Sequence, residues 1–185
     1  MSSSLHNLAP ITLLRELESR SLHHAMGLPM QLEIRNTWSG IGFRMDDIHL
    51  IAEMSMVSEI LTVPDYTRIP GAQPWVKGLA NVRGTLIPII DLRILLNAGQ
   101  VKQEKRTRML VIKDEGAVAG FMVDEVYGMR HFFSTDRQDD MPNAAEFIKP
   151  YVVGSYKQGE RFWGIFDMGK ISSSTAFHQV AARTA

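Results

Sequence analysis

Short apolar runs separated by turn-forming residues follow one another from residue 38 onward, and they constrain the fold more than any other feature of the sequence. Several of these runs lie in close pairs, as expected for β-hairpins. The pairs are "IGFRM" with "IHLIA", "GLANVR" with "TLIPII", "MLVIK" with "AVAGFMVDEV", and "YVVGSYK" with "RFWGIFD". About eight to ten short strands at this spacing indicate small barrels or a sandwich and argue against a parallel α/β sheet.

Two of the apolar runs end in the same way, with an aspartate followed by a short segment that reads as helix. Asp91 follows "TLIPII" and Asp167 follows "RFWGIF", and aspartate is favoured at the position that caps the start of a helix. This likeness predicts two related barrels within one domain. We therefore expect an all-β protein with short helices.

The first 35 residues carry a different pattern. Pro10 suits the first position of a helix, and Leu13, Leu14 and Leu17 recur at helical spacing. A short amphipathic helix is predicted over roughly residues 10–25. The chain is thus expected to comprise an N-terminal extension (1–35), a β-rich domain (36–172) and a C-terminal tail (173–185).

Composition and charge exclude several classes of protein. The chain has 185 residues and no cysteine, which excludes a disulfide framework, thiolate metal sites and a cysteine nucleophile. Its 20 basic and 20 acidic residues balance, so no overall field draws it to nucleic acid or to an anionic membrane. No apolar run approaches the roughly 18 residues that span a bilayer, and the N-terminus lacks a signal-peptide pattern. A cytoplasmic protein without membrane insertion is the expectation.

The sequence offers little for catalysis or metal binding. Its six histidines include one adjacent pair, His23 and His24, whose side chains would not share a helix face for chelation. Neither a "GxSxG" nucleophile elbow nor a "GxxxxGK" phosphate-binding loop occurs. We expect no enzymatic activity, metal or cofactor. Because a Ser–His–Asp triad is a spatial arrangement, a hydrolase stays open as a less favoured alternative.

The segment "KQEKRTR" (102–108) is a basic cluster. It could contact phosphates, but barrels that bind nucleic acid also present aromatic side chains along their binding strands. No aromatic residue lies between Trp75 and Phe121. A solvated loop is favoured, and a small β-barrel module that binds nucleic acid or another ligand is kept as an alternative.

The stretch "GLANVRGTLIPIIDLRILL" (78–96) places Arg83 between Asn81 and Gly84 in the middle of an otherwise aliphatic hairpin. A glycine permits a backbone conformation that other residues resist. A buried guanidinium needs an acidic partner, and Glu59, isolated among apolar residues in "MVSEILTVP", is the best candidate. Loss of either partner would cost about 2 kcal/mol in stability or in partner affinity. The pair is a structural ion pair, part of a surface that another protein binds, or both.

Residues 57–96 resemble the central motif of the CheW-like coupling proteins. In that motif V-x-E-I is followed by a Pro-Gly turn, then by N-x-R-G, and then by proline, two hydrophobic residues and D-L. The segments "GFMVDEVYGM" (120–129) and "IFDMGKI" (165–171) resemble later motifs of the same family. The resemblance covers roughly residues 36–172.

This resemblance implies two interlocked, five-stranded, SH3-like barrels that share a hydrophobic core, with an added N-terminal helix. It implies no enzymatic activity and no cofactor. Proteins of the family bridge the cytoplasmic tip of a methyl-accepting chemoreceptor and the regulatory domain of a CheA-type histidine kinase. Their receptor-facing groove falls here on Val57, Glu59, Asn81, Arg83 and Gly84. The implied location is cytoplasmic, peripheral to the inner membrane through receptor complexes, with no nucleic-acid partner.

Three segments indicate a branch of this family. "LLREL" (13–17), "WSGIGFR" (38–44) and "PGAQPWVKGLANVRG" (70–84) resemble the coupling protein of the chemosensory system that controls type IV pili and twitching motility. The alternative within the family is a coupling protein of general flagellar chemotaxis.

Overall fold

The computed structural model describes residues 11–12, 14–15, 37–114 and 117–178. The chain divides into two compact units, residues 1–35 and 36–185. The described residues of the first unit are helical, with exposed side chains at Ile11 and Leu14. The rest of the helix predicted over 10–25 lies outside the described residues, and the boundaries of the three predicted segments stay predictions.

Eleven strands make up most of the described part of the second unit. They are β1 (Thr37–Met45), β2 (Ile48–Glu53), β3 (Val57–Thr62), β4 (Val76–Val82), β5 (Thr85–Asp91), β6 (Arg108–Asp114), β7 (Ala117–Val123), β8 (Glu125–Phe133), β9 (Arg137–Gln138), β10 (Val152–Gln158) and β11 (Arg161–Phe166). The helices are α1 (Leu92–Leu95), α2 (Met168–Ser172) and α3 (Thr175–His178), with 3-10 turns at Ser134–Asp136 and Lys149–Tyr151. None of the helices in the described residues is long and apolar enough to cross a lipid bilayer.

The strands form two sheets. Five strands, β3 to β7, form one sheet in the order β3-β6-β7-β5-β4. The other six form the second sheet in the order β8-β1-β2-β11-β10-β9. Most neighbours are antiparallel, but β5 with β7 and β2 with β11 are parallel. In each sheet one member of the parallel pair, β5 or β11, leads into a short capped helix.

The two edges of each sheet are joined, by backbone hydrogen bonds in one sheet and by a short turn in the other. In the five-stranded sheet, the chain leaving edge strand β3 pairs with the other edge strand, β4, where Thr67 and Leu79 exchange two backbone hydrogen bonds of 2.8 Å. In the six-stranded sheet, the edge strands β8 and β9 are consecutive in the chain and only the turn Ser134–Asp136 separates them. Closure into a small barrel protects the strand edges from pairing with other chains.

A glycine in a β-bulge lies beside each closing segment. Gly78 in β4 has a φ of 155°, and a Cβ there would lie 2.3 Å from the carbonyl oxygen of Thr67. Gly154 in β10 has a φ of 143°, and a Cβ there would lie 2.7 Å from the carbonyl oxygen of Gln138 in β9. Both positions therefore require glycine, because a side chain would push the closing backbone away.

A core of buried apolar side chains lies between the two sheets. Phe43 and Phe166 of the six-stranded sheet meet edge to face at 5.9 Å, and Phe121 of the five-stranded sheet belongs to the same cluster. Each sheet also encloses its own apolar cluster. These are Ala80, Ile87, Ile89, Val101, Met109, Val111 and Met122 in the five-stranded sheet, and Ile51, Phe132, Tyr156, Trp163 and Ile165 in the six-stranded sheet.

Aspartates cap α1 and α2, as the sequence predicts. The buried carboxylate of Asp91 accepts hydrogen bonds from the backbone N–H groups of Arg93, Ile94 and Val101 at 3.1, 3.2 and 3.1 Å. The carboxylate of Asp167 accepts one hydrogen bond, from the backbone N–H of Lys170 at 3.1 Å. The two caps are alike in sequence, but Asp91 accepts hydrogen bonds from three backbone N–H groups and Asp167 from one.

The predicted fold class, mostly β with short helices in two sheets, is confirmed. One sheet has six strands instead of five because β9 adds to it, and the sequence around β9 is polar without apolar alternation. The run read as one strand over 117–126 is two strands, because the chain bends at Asp124 and β8 leaves for the other sheet.

Candidate functional site

A two-residue turn at Arg83 and Gly84 connects β4 to β5. Both residues have positive φ, 50° and 88°, which is the pattern of a type I′ hairpin turn. The side-chain oxygen of Asn81 accepts a hydrogen bond of 2.8 Å from the backbone N–H of Gly84. The asparagine and the glycine therefore build the turn, and the turn projects the arginine.

The side chain of Arg83 reaches from this turn to Glu59 on β3. Its Nε lies 3.2 Å from Oε2 of Glu59, so the predicted ion pair is confirmed. The same Oε2 is buried and has no hydrogen bond among the described residues. The two opposite charges are thus within ion-pair distance, but the N–H group does not point at the oxygen as a hydrogen bond requires. With the Thr67–Leu79 bridge, the pair ties β3 to the β4–β5 hairpin.

The predicted burial of Arg83 is wrong. The arginine side chain is 77% exposed, whereas that of Glu59 is 26% exposed. The error arises because Arg83 lies at the tip of a turn, and the sequence suggested the interior of a hairpin strand. An exposed ion pair contributes little to stability, so the expected loss of about 2 kcal/mol is retained for partner affinity alone.

Val57 lies on the opposite face of β3 from Glu59. A bulge between them shifts the register, so that Val57 pairs with Ile112 and Glu59 pairs with Val111. Ile112 belongs to the core between the sheets and Val111 to the interior of the five-stranded sheet. The structure therefore brings together Glu59, Asn81, Arg83 and Gly84 but places Val57, half-buried, against the shared core.

Two exposed apolar side chains lie beside these residues and were not predicted. Leu86 of β5, opposite Asn81, is 64% exposed, and Ile60 of β3, next to Glu59, is 39% exposed. Alternation along "TLIPII" is the signal that could have identified Leu86, because its neighbour Ile87 is buried inside the sheet. The turn thus presents a guanidinium and an amide next to the exposed side chain of Leu86, whereas Ile60 points to the opposite face of β3 from Glu59.

The carboxylates at the bend between β7 and β8 are engaged in structure. Asp124 accepts a backbone hydrogen bond of 2.6 Å from Asp46 and lies 3.6 Å from Arg93. Glu125 pairs with Arg44 at 3.3 Å. These neighbouring carboxylates have separate partners, and both hold the bend in place.

The histidines do not form a recognisable triad in the described residues. His131 accepts or donates a hydrogen bond of 2.7 Å with the hydroxyl of Ser39 at the surface, and none of the described carboxylates bonds to its ring. His49 stacks on Tyr127 at 5.5 Å. Burial lowers the pKa of His49, and the nearby Arg161 and Arg44 lower it further. The geometry therefore gives the hydrolase alternative no support.

Comparisons with known proteins agree with the fold. A family model described as CheW-like domain matches residues 39–176. Protein PilI of Pseudomonas aeruginosa is 38% identical over 172 residues, which are 93% of this chain and 96% of that protein. Chemotaxis protein CheW of Helicobacter pylori is 30% identical over 131 residues, 71% of this chain and 79% of that protein.

A solved structure has the same architecture. The scaffolding protein TtCheW from Thermoanaerobacter tengcongensis superposes with a TM-score of 0.67 at 20% identity, over 76% of this chain and 96% of that one. At this identity the likeness supports the fold alone. The family model, however, spans most of the chain, and PilI is similar along nearly its full length. The chain therefore belongs to the CheW-like family.

Proposed function

We propose that this protein is a non-enzymatic adaptor that couples methyl-accepting chemoreceptors to a CheA-type histidine kinase. The observation that carries the proposal is the turn in which Asn81 and Gly84 hold Arg83 exposed beside Glu59. It occurs within a CheW-like domain that matches residues 39–176. The turn offers recognition chemistry without a nucleophile or a base.

The turn suits a protein partner by its composition. Arginine and exposed apolar side chains are typical of protein interfaces, and a planar guanidinium can bind a carboxylate or backbone carbonyls with several donors. The exposed side chain of Leu86 lies on β5 opposite Asn81, and the exposed Ile60 follows Glu59 on β3. We assign the receptor tip to Glu59, Asn81, Arg83 and Gly84, with Val57 supporting β3 from the core side.

An adaptor of this kind acts by differential binding. A change in the receptor alters kinase output only if the adaptor binds the two receptor states with different free energies. Interfaces of modest size suit this role, because small differences in binding free energy then change the fraction of adaptor that is bound. Two closed sheets in one domain offer separate surfaces, so receptor and kinase can be held at the same time.

The branch of the family is part of the proposal. Similarity to PilI along 93% of the chain supports a role in the chemosensory control of type IV pili and twitching motility, on the cytoplasmic side of the membrane that holds the receptors. Similarity to CheW over 71% of the chain supports flagellar chemotaxis as the alternative. Deletion of the gene should abolish twitching and leave swimming intact; the opposite result would assign the flagellar branch.

A binding measurement tests the adaptor role. The full chain should bind the regulatory domain of a CheA-type kinase and a soluble fragment of a receptor tip by titration calorimetry. Arg83→Ala should weaken receptor binding about thirtyfold, or about 2 kcal/mol, and leave kinase binding unchanged. Arg106→Ala, which removes an exposed arginine from a loop, is the matched control. Failure to bind either partner would refute the proposal, and salt-dependent oligonucleotide binding would then favour the nucleic-acid alternative.

A further inference from the structure

We propose that the six-stranded sheet carries a second docking site, in which Arg130 binds a carboxylate of a partner protein. Arg130 lies on β8 opposite Gly40 of β1. Its side chain is on the same face of β8 as Phe132, which belongs to the aromatic cluster inside this sheet. The site is separate from the turn at Arg83, which belongs to the five-stranded sheet.

Aromatic rings hold the guanidinium of Arg130. Its central carbon lies 5.3 Å from the ring centroid of Trp163 and 5.8 Å from that of Tyr127, distances at which a cation and a ring attract each other. Gly42 leaves the space for this packing, since a Cβ there would lie 3.0 Å from Cγ of Arg130 and 2.9 Å from the ring of Trp163. The arginine is therefore positioned by its surroundings before a ligand arrives.

The guanidinium lacks an anionic partner among the described residues. Its Nε is buried and has no hydrogen bond among the described residues, while the residue as a whole is half-buried. Arg44 and Arg83, in contrast, are paired with Glu125 and Glu59. Oε2 of Glu125 is already within 3.3 Å of Arg44 and 3.4 Å of the Tyr127 hydroxyl. Arg130 is thus a half-buried cation with unused donors.

The local field favours an anion. His49 stacks on Tyr127 and meets Trp163 edge to face, so it shares the aromatic floor with Arg130. After burial, the charges of Arg161 and Arg44 are the next causes that lower the pKa of His49. The same positive potential attracts a carboxylate, and the aromatic floor strengthens the resulting hydrogen bonds by excluding water.

A protein carboxylate fits this site better than a small free anion. Arginine, tryptophan and tyrosine are the residues that most often dominate binding energy at protein interfaces, typically from a partly desolvated centre. The planar fork of arginine matches a carboxylate with two parallel hydrogen bonds, which a lysine cannot reproduce. We therefore infer that an aspartate or glutamate of a partner stacks its carboxylate against the open edge of Arg130.

The test rests on the proposed function and uses the full chain with the two partners named above. Arg130→Gln should weaken binding of one of them at least tenfold. Arg130→Lys keeps the charge and the attraction to the rings but loses the fork, so it should also weaken binding, by about threefold or more. Lys157→Gln is the matched control, because Lys157 is an exposed cation 5.6 Å above the ring of Phe162 on the same sheet. Binding by Arg130→Gln within twofold of the wild type for both partners would overturn the inference.

A second measurement keeps the inference testable if the wild type binds neither partner. Acetate, titrated at constant ionic strength against chloride, should shift the NMR signals of the Arg130 Nε–H and the Trp163 indole N–H to saturation. The shift should be absent in Arg130→Gln. A shift that does not exceed that caused by chloride would then overturn the site, whereas the absent partner binding alone would refute only the adaptor role. Thermal unfolding of each variant confirms that it is folded.

Discussion

The two sheets share the same three features, a bulge glycine, a parallel strand pair and an aspartate-capped helix, but the interactions at these features differ. Both close beside a bulge glycine, both contain one parallel pair, and both lead into a helix capped by aspartate. In the five-stranded sheet the cap is buried and accepts three backbone donors, whereas Asp167 of the six-stranded sheet accepts one. Likeness in sequence therefore does not predict equal importance for stability.

The largest expected losses of stability come from substituting the closing glycines. Gly78→Ala should lower the free energy of unfolding by about 3 kcal/mol or more, because its Cβ would meet the Thr67 carbonyl oxygen at 2.3 Å and positive φ strains alanine. Gly154→Ala should cost about 2 kcal/mol, because the corresponding approach to Gln138 is 2.7 Å. Urea unfolding measures both. Equal costs would mean that the backbone beside Gly78 and the backbone beside Gly154 accommodate a Cβ equally well.

Substituting the aspartate caps should give the next largest losses of stability, with a larger difference between the two sheets. Asp91→Ala leaves three backbone N–H groups without an acceptor and should cost about 3 kcal/mol, whereas Asp167→Ala should cost about 1 kcal/mol. Asp91→Asn keeps one side-chain oxygen and should cost less than Asp91→Ala. Chemical denaturation of the three variants measures the order. A cost at Asp167 that matched Asp91 would contradict the argument from burial.

Ion pairs should differ less between the sheets. The side chains of Arg44 and Glu125 are 27% and 24% exposed, while Arg83 is 77% exposed. Double-mutant cycles to alanine should give a coupling energy of about 1 kcal/mol for Arg44–Glu125 and about 0.5 kcal/mol or less for Glu59–Arg83. A coupling energy for Glu59–Arg83 as large as that for Arg44–Glu125 would contradict the argument from exposure.

The smallest effect is a pH dependence that belongs to the six-stranded sheet. The folded state lowers the pKa of His49 below its ordinary value of 6.5, first by burial and then through Arg161 and Arg44. As pH falls below about 6.5, the unfolded chain therefore binds more protons than the folded chain, and stability decreases. Unfolding at several pH values should show this loss, and His49→Gln should reduce the slope. An unchanged slope in that variant would exclude His49 as its source.

Much of the fold follows from local sequence signals. Hairpins are predicted by alternation and turn residues, and both helix caps by an aspartate after an apolar run. The pair of Glu59 with Arg83 is predicted from the need to neutralise an isolated charge, and the structure confirms it. These features depend on residues close in sequence or on one strong physical requirement.

Other features depend on register, which the sequence does not reveal. The exposure of Arg83 depends on the turn type, and the face on which Val57 lies depends on a bulge one residue away. Strand β8 was only partly predicted, because its exposed Met129 and half-buried Arg130 interrupt the expected alternation. The contact of Arg130 with the ring of Trp163 depends on the pairing of β8 with β1, so the sequence alone does not reveal it.

The five-stranded sheet is one continuous stretch of chain, from β3 to β7, inserted between the strands of the other sheet. Its last strand, β7, ends at residue 123, so during synthesis it is complete while the six-stranded sheet still lacks β11, which ends at residue 166. We therefore expect the inserted barrel to fold first, since its pairings are closer along the chain. Until β11 has been synthesised, β2 has one edge without a partner. That edge then pairs in parallel with β11, the last strand of the chain's described part.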